Sequence, residues 1–352
     1  MIQPNEPFAV VFHPLGVRCV KATIADVAKY CGVSTATVSL VLTNKGRISA
    51  RTRERVLEAV KQLGYVYNQA AANLRHKRSN LVGLVIPEIT NPFYSEMIAG
   101  LSHYLEEKDS LLFLANAQES VERQVKFIDS LLSQNAGGVV MCPAMDTDLD
   151  YLKTVESRGF PIVLAVRPIG EDLFDFVGTN NFMGLQLATE HLIKKGHRHI
   201  AFIGGLEASK TRSHRLGGYM SKLMEHGIPF NENYIRSCAA SRSEGAKVTR
   251  ELLERYPEIT AIIGYQDIVA FGVMRAIKDL GQRVGTDIAV VGFDDVAEAS
   301  DTSPTLTSVS VSAREIGRAA GEIILSRMEG DKQPYKSVVF PPKLVVRQSC
   351  GG

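Results

Sequence analysis

The chain has 352 residues, 45% of them hydrophobic and 22% charged, which is the composition of a globular protein and not of a disordered or fibrous one. At about 100–200 residues per domain it should divide into two or three domains, and no run of about 18 apolar residues offers a membrane span. The net charge of +2 conceals an asymmetry: eleven lysines and arginines against three acids between Lys21 and Arg78 give +8 there, which leaves −6 beyond Arg78.

Residues 1–20 lack an early basic cluster and carry Pro14 within their apolar stretch, so they do not read as a secretory signal; they are expected to be a disordered N-terminal extension. Five cysteines (Cys19, Cys31, Cys142, Cys238 and Cys350) lie far apart with no C-x-x-C pair, which suits a reducing cytoplasm. In the basic stretch, Thr23 stands at a helix start with Asp26 three residues on, and Ile24, Val27 and Ala28 follow at helical spacing. Gly32 breaks this short helix. Ser34 opens a second one over Thr35 to Leu42, with Val38, Val41 and Leu42 on one face and Thr35, Ala36, Ser39 and Leu40 left for another surface. A third helix, capped by Ser49, runs from about Ala50 to Gly64 through Val56, Leu57, Val60 and Leu63. Two short helices around a tight glycine turn predict a helix-turn-helix, and a basic module on an acidic body is the charge pattern of a nucleic-acid-binding head. For charge alone, a solvated face explains as much.

Asn68 then precedes three alanines and Leu74, a helix of about eight residues that is marginal in water without a partner. Beyond Arg78 short apolar runs recur: Leu81–Ile86, Leu111–Leu114, Gly138–Met141, Pro161–Val166, Ile200–Ile203, Ala261–Ile263 and Ile288–Val291, with helix-length segments such as Tyr94–Lys108 and Ser120–Gln134 between them. Two successive βα arrays predict an α/β core of two parallel-sheet lobes, with a ligand cleft outside the strands' carboxyl ends. Enzyme signatures fail: His197-Arg-His199 has no neighbouring carboxylate or cysteine to complete a metal site, Gly204-Gly205 lacks the dinucleotide spacing, and no G-x-S-x-G, H-E-x-x-H or P-loop occurs. No cofactor or metal is expected, and no catalysis.

The run TIADVAKYCGVSTATVSLVL, followed by GRISARTRERVLEAVKQLGY, resembles the headpiece of the lactose-repressor/galactose-repressor family of bacterial transcriptional regulators, and the likeness continues almost to the C-terminus. It implies four segments: the extension 1–20, a helix-turn-helix headpiece 21–66, a hinge helix and linker 67–79, and a periplasmic-binding-protein-like effector and dimerisation core 80–348. Lobe 1 of that core would hold about 80–180 and 310–338, and lobe 2 about 181–309 and 339–348. The resemblance places Thr35, Ala36 and Leu40 on base edges, where small or apolar side chains favour contact with thymine methyls. Ser34, Ser39, Arg47 and Thr52 fall on phosphates, though Ser34 and Thr52 also read as plain helix caps. Leu74 matches the family's minor-groove wedge, inserted from paired hinge helices, with a flexible linker as the bland alternative. Tyr67 stands where the family usually has proline, implying a hinge whose folding depends more on DNA.

At strand ends, Asn91, Phe93, Tyr94, Arg215, Gln266, Asp267, Phe293 and Asp294 match effector-binding positions, with Tyr265 a further stacking surface in a chain that has no Trp. Gln266-Asp267 replaces the family's common Asn-Asp. The stretch Thr211-Arg212-x-x-Arg215-x-Gly-Gly-Tyr219 resembles the maltose-regulon repressor branch, which favours a sugar. The expectation is a cytoplasmic homodimeric repressor of a carbohydrate-utilisation operon, on a near-palindromic double-stranded operator, controlled by a sugar. The alternatives are a sugar-binding transport protein without DNA function, or a regulator answering to a nucleobase or to no small molecule. No leucine heptads follow Arg347 to join dimers into tetramers.

Overall fold

The computed structural model describes residues 22–43, 46–66, 79–170 and 172–351, so the expected extension 1–20 and most of the hinge segment, Leu74 included, lie outside the described residues. Contacts divide the chain into two compact units, residues 1–77 and 78–352.

In the first unit, α1 (Ile24–Cys31), α2 (Thr35–Leu42) and α3 (Ala50–Gln62) are each fixed by local chemistry. The Thr23 hydroxyl accepts from the Asp26 N–H at 3.3 Å while the Asp26 carboxylate accepts from the Thr23 N–H at 2.8 Å, a reciprocal cap that holds the Asp26 pKa below its usual value. Gly32, at φ +63°, ends α1 in the left-handed conformation that a side chain would resist. Ser34 and Ser49 cap the next two helices. Val27, Ala28, Cys31, Val38, Val41, Val56 and Ala59 close the small core that no pair of these helices could make alone.

The second unit begins with β1 (Leu81–Ile86), α4 (Pro92–Glu106), β2 (Leu111–Asn116), α5 (Val121–Ser133), β3 (Gly138–Met141), α6 (Leu149–Ser157), β4 (Ile162–Ala165) and β5 (Asp175–Thr179). The chain then builds α7 (Asn181–Lys194), β6 (Ile200–Ile203), α8 (Lys210–Glu225), β7 (Ile235–Arg236), α9 (Arg242–Arg255), β8 (Ala261–Gly264), α10 (Asp267–Asp279), β9 (Ala289–Asp294) and β10 (Thr307–Ser310). It ends with α11 (Ala313–Met328), β11 (Ser337–Phe340) and β12 (Lys343–Val345). Lobe 1 is a parallel sheet in the order β11-β5-β4-β3-β1-β2. Lobe 2 runs β12-β10-β9-β8-β6-β7, parallel except where β12 opposes β10. The chain therefore passes between lobes three times, at residues 179–181, 310–313 and 340–343. The first and third passages are tied together, the Thr179 hydroxyl donating to the Phe340 carbonyl at 3.1 Å. The returning segment is clamped to lobe 1 by Arg327, whose guanidinium grips the buried Asp175 carboxylate at 2.8 and 2.9 Å.

Candidate functional site

Parallel strands aim their carboxyl ends one way, so the polar residues that follow them converge between the lobes. Phe93 and Tyr94 arrive from the start of α4, Arg167 from beyond β4, Thr179 from the end of β5, Tyr265 and Gln266 from beyond β8, and Asp294 from the end of β9. Together with Arg215 on α8 they line a cleft of about 410 Å³, counted with its open mouth.

Arg215 is its centre. The side chain is 4% exposed, its Nε donates to the Asn181 Oδ1 at 2.8 Å, and one terminal nitrogen donates to the Tyr265 carbonyl. Its guanidinium lies 3.5 Å from the centroid of the Phe293 ring and 4.5 Å from that of Tyr265. A planar cation fixed on so many sides keeps its remaining donors aimed at the cavity. Burial lowers the Arg215 pKa from its usual value, and the neighbouring Tyr265 and Asp294 work against that fall. Asp294 stands 4.0 Å away, and its Oδ2 is buried with no hydrogen-bond partner among the described residues. Burial drives the Asp294 pKa well above the ordinary carboxylate range, with Arg215 opposing. A buried acceptor without a donor is costly, and a ligand hydroxyl is the group that would relieve it.

The walls add shape. Phe93 and Tyr94 meet edge to face, their centroids 5.2 Å apart, and the Tyr94 hydroxyl lies 3.4 Å from the Cys142 sulfur. Arg167 is delivered by a tight turn in which its N–H bonds the Ala165 carbonyl at 2.7 Å across Val166 at φ +67°. A β-branched residue in that region is strained by about 1–3 kcal/mol, a cost borne where the chain must turn a side chain into the site. The Glu119 carboxylate then takes both terminal nitrogens of Arg167 at 2.8 and 2.7 Å.

Of the expected effector residues, Phe93, Tyr94, Arg215, Gln266 and Asp294 line the cleft, whereas Asn91, Asp267 and Phe293 do not. Asn91 is 3% exposed, and its side-chain oxygen caps α4 through the Phe93 N–H. Asp267 is fully buried; one carboxylate oxygen accepts from the Ser308 hydroxyl and the other from the Val296 N–H at 2.9 Å, so it braces the loop after Asp294. Burial lifts its pKa to about 6. Phe293 is the floor beneath Arg215. Arg167 and Thr179 were not anticipated, although a polar residue just past an apolar strand is the same signal that marks Gln266 and Asp294.

In the headpiece, Thr35, Ala36 and Leu40 are exposed on the face of α2 opposite its buried Val38 and Val41. Leu40 is 38% exposed and leans toward Gly46. The Ser34 oxygen accepts from the Thr37 N–H at 3.1 Å, and the Thr52 N–H is bound by Ser49 at 3.3 Å, so Ser34 acts as a cap and Thr52 is held by one. Arg47 is exposed and Ser39 half-buried.

The family model for "Bacterial regulatory proteins, lacI family" matches residues 23–68, and that for "Periplasmic binding proteins and sugar binding domain of LacI family" matches residues 79–345. The chain is 34% identical over 335 residues to the maltose regulon regulatory protein MalI of Escherichia coli K12, with 92% of this chain and 98% of that one covered. Among solved structures it is similar to a complex of the transcriptional regulator CelR with cellobiose, at a TM-score of 0.71 and 30% identity over 94% of this chain and all of that one. It is also similar to the lac repressor dimer bound to operator and the anti-inducer ONPF, at a TM-score of 0.81 and 28% identity over 94% of this chain and 99% of that one.

Proposed function

The chain belongs to the LacI family of bacterial regulatory proteins, and from that premise we propose that its interlobe cleft holds a sugar between Arg215 and Asp294, and that occupancy of the cleft sets the headpiece's grip on its operator. It is a DNA-binding transcriptional regulator, a sugar-responsive repressor of a carbohydrate operon that acts as a dimer. Its work is recognition and coupling in the cytoplasm, with no catalytic step.

The observation that carries the sugar reading is the pair itself: a buried arginine held by Asn181, Tyr265 and two rings, beside a buried carboxylate oxygen that lacks a donor. A charged donor such as Arg215 binds hydroxyls more strongly than a neutral one, and Phe93 and Tyr94 offer apolar surface for the flat side of a sugar ring. In the headpiece, Thr35, Ala36 and Leu40 are the base-reading residues, while Ser34, Ser39, Arg47 and Thr52 sit toward phosphates. Of the other expected effector residues, Gln266 contributes its amide, and Asn91, Asp267 and Phe293 act by positioning. Leu74, from the hinge, is the minor-groove wedge.

Coupling requires the sugar to bind the operator-engaged and free forms with different affinity. A change in lobe angle that disturbs the paired hinge segments supplies that difference, and couplings of about 1–3 kcal/mol are typical. The test is a panel of sugars titrated against operator-bound protein. Wild-type protein should change its operator affinity with one of them, and Arg215→Ala should bind operator yet give no response. A normal response in Arg215→Ala removes Arg215 from the site.

A further inference from the structure

Beside the cleft lies a second cavity of about 560 Å³, again counted with its open mouth, which shares Arg167 and Thr211 with the first. Its walls come from both lobes: residues 143–145 and 147 beyond β3 and 167–169 beyond β4 on one side, and residues 208–211 at the start of α8 on the other. A ligand seated on Arg215 that is larger than one sugar ring, or that carries a substituent, would extend into this annex.

Its chemistry is one-sided. Among the described residues no carboxylate lines the annex, while two cations do, Arg167 from lobe 1 and Lys210 from lobe 2. Arg167 is already matched by Glu119. Lys210 is exposed and has no carboxylate partner among the described residues. The nearest acid in sequence, Glu207, is exposed and accepts a hydrogen bond from Ser237 outside the annex. Lys210 and Thr211 open a 16-residue helix, and backbone N–H groups at such positions have no acceptor within the helix and carry its positive dipole end. Ser209, which precedes them, has its oxygen engaged by the Arg212 N–H at 3.3 Å. The independent observation is Thr211. It is 4% exposed, it lines both cavities, and its hydroxyl makes no hydrogen bond among the described residues. A hydroxyl open to the cavity beside an exposed cation is a place for an acceptor-rich anion.

We propose that the annex is an anion subsite and that the effector is a sugar derivative bearing a phosphate or a carboxylate. Its ring hydroxyls lie on Arg215 and Asp294, and its anionic group lies against Lys210, the Thr211 hydroxyl and the first turn of α8. This rests on the reading of the cleft as a sugar site, and the experiment separates the two.

Isothermal titration calorimetry on the full chain would compare matched ligands: glucose with glucose 6-phosphate and glucuronate, maltose with maltose 6′-phosphate, and trehalose with trehalose 6-phosphate. At least one charged member should bind about tenfold or more tightly than its neutral counterpart, and in Lys210→Ala that ratio should fall to about threefold or less. The ratio is read within each protein, so a general loss of affinity does not imitate the result. Preference for phosphate over glucuronate identifies a phosphate ester, and the reverse identifies a carboxylate. A neutral sugar that binds as tightly as its charged counterpart overturns the anion subsite and leaves the sugar cleft standing. A margin that survives in Lys210→Ala overturns its location. Failure of every sugar, neutral and charged, to bind sinks the sugar cleft and the subsite together.

Discussion

Asp267 opens α10, three residues past the end of β8, and both its carboxylate oxygens are taken by Ser308 and Val296. Those partners come from the loop after Asp294 and from β10, far along the chain, so no local pattern announces them. Its raised pKa of about 6 has a consequence for stability. Between about pH 4 and pH 6 the folded protein holds this proton more tightly than the unfolded chain does, so the contribution of Asp267 to stability is full below that window and falls as pH rises through it. Thermal melts of wild type and Asp267→Asn across pH 4–7 should show a smaller fall with pH in the variant; parallel curves would assign the titration elsewhere. Arg167 carries a legible signal, a polar residue just past an apolar run, but its direction depends on the turn at Val166, and nothing in the sequence signals a valine at positive φ. Arg215 and Asp294 were legible because each stands where a parallel strand or its helix opens on the cleft.

The helices pack closely by omission of side chains. On α4 and α11 the backbones approach until a Cβ on Gly317 would sit 2.0 Å from the Met97 carbonyl oxygen, and one on Gly100 would sit 2.1 Å from that of Arg314. The same device recurs on α8, where a Cβ on Gly218 would sit 2.1 Å from the Phe182 carbonyl oxygen. Gly317→Ala should therefore force α11 away from α4 and destabilise the core by about 1–3 kcal/mol, measured by denaturant unfolding. A variant as stable as wild type would mean that the helices can separate without cost. Elements whose ends are set by neighbouring residues could be read from the sequence, as with Thr23, Gly32, Ser34 and Ser49 in the headpiece. The apolar strands β1, β3, β6 and β8 were legible from composition. By contrast β5 begins at Asp175 and β10 reads Thr-Ser-Val-Ser, polar segments that become strands because Arg327 neutralises the first and because Ser349 and Asp267 satisfy the second. Their pairing is a tertiary decision.

In the whole molecule, β2 is an edge strand of lobe 1 with Leu111, Phe113 and Leu114 at 57%, 43% and 38% exposure. A solvent-facing apolar edge invites association, and in a dimeric regulator it is a natural seat for the second subunit. Phe113→Asp should lower the dimer fraction in light scattering and weaken operator binding with it; an unchanged dimer would place the contact on another face. The hinge gives a second expectation at this scale. Leu74→Ala should reduce affinity for operator well beyond its effect on random DNA, and equal losses on both would sink the wedge. The lobes themselves are joined by three strands of chain rather than one, with two of them laced by Thr179 and Phe340. A triple joint of this kind resists sliding and twisting and leaves opening and closing as one dominant coordinate. The breadth of whatever occupies the cleft then acts as a gauge on that coordinate. Ligands of graded width would hold the joint at graded angles and act as partial agonists, so the transcriptional response would be a dial set by ligand shape as much as a switch set by its concentration.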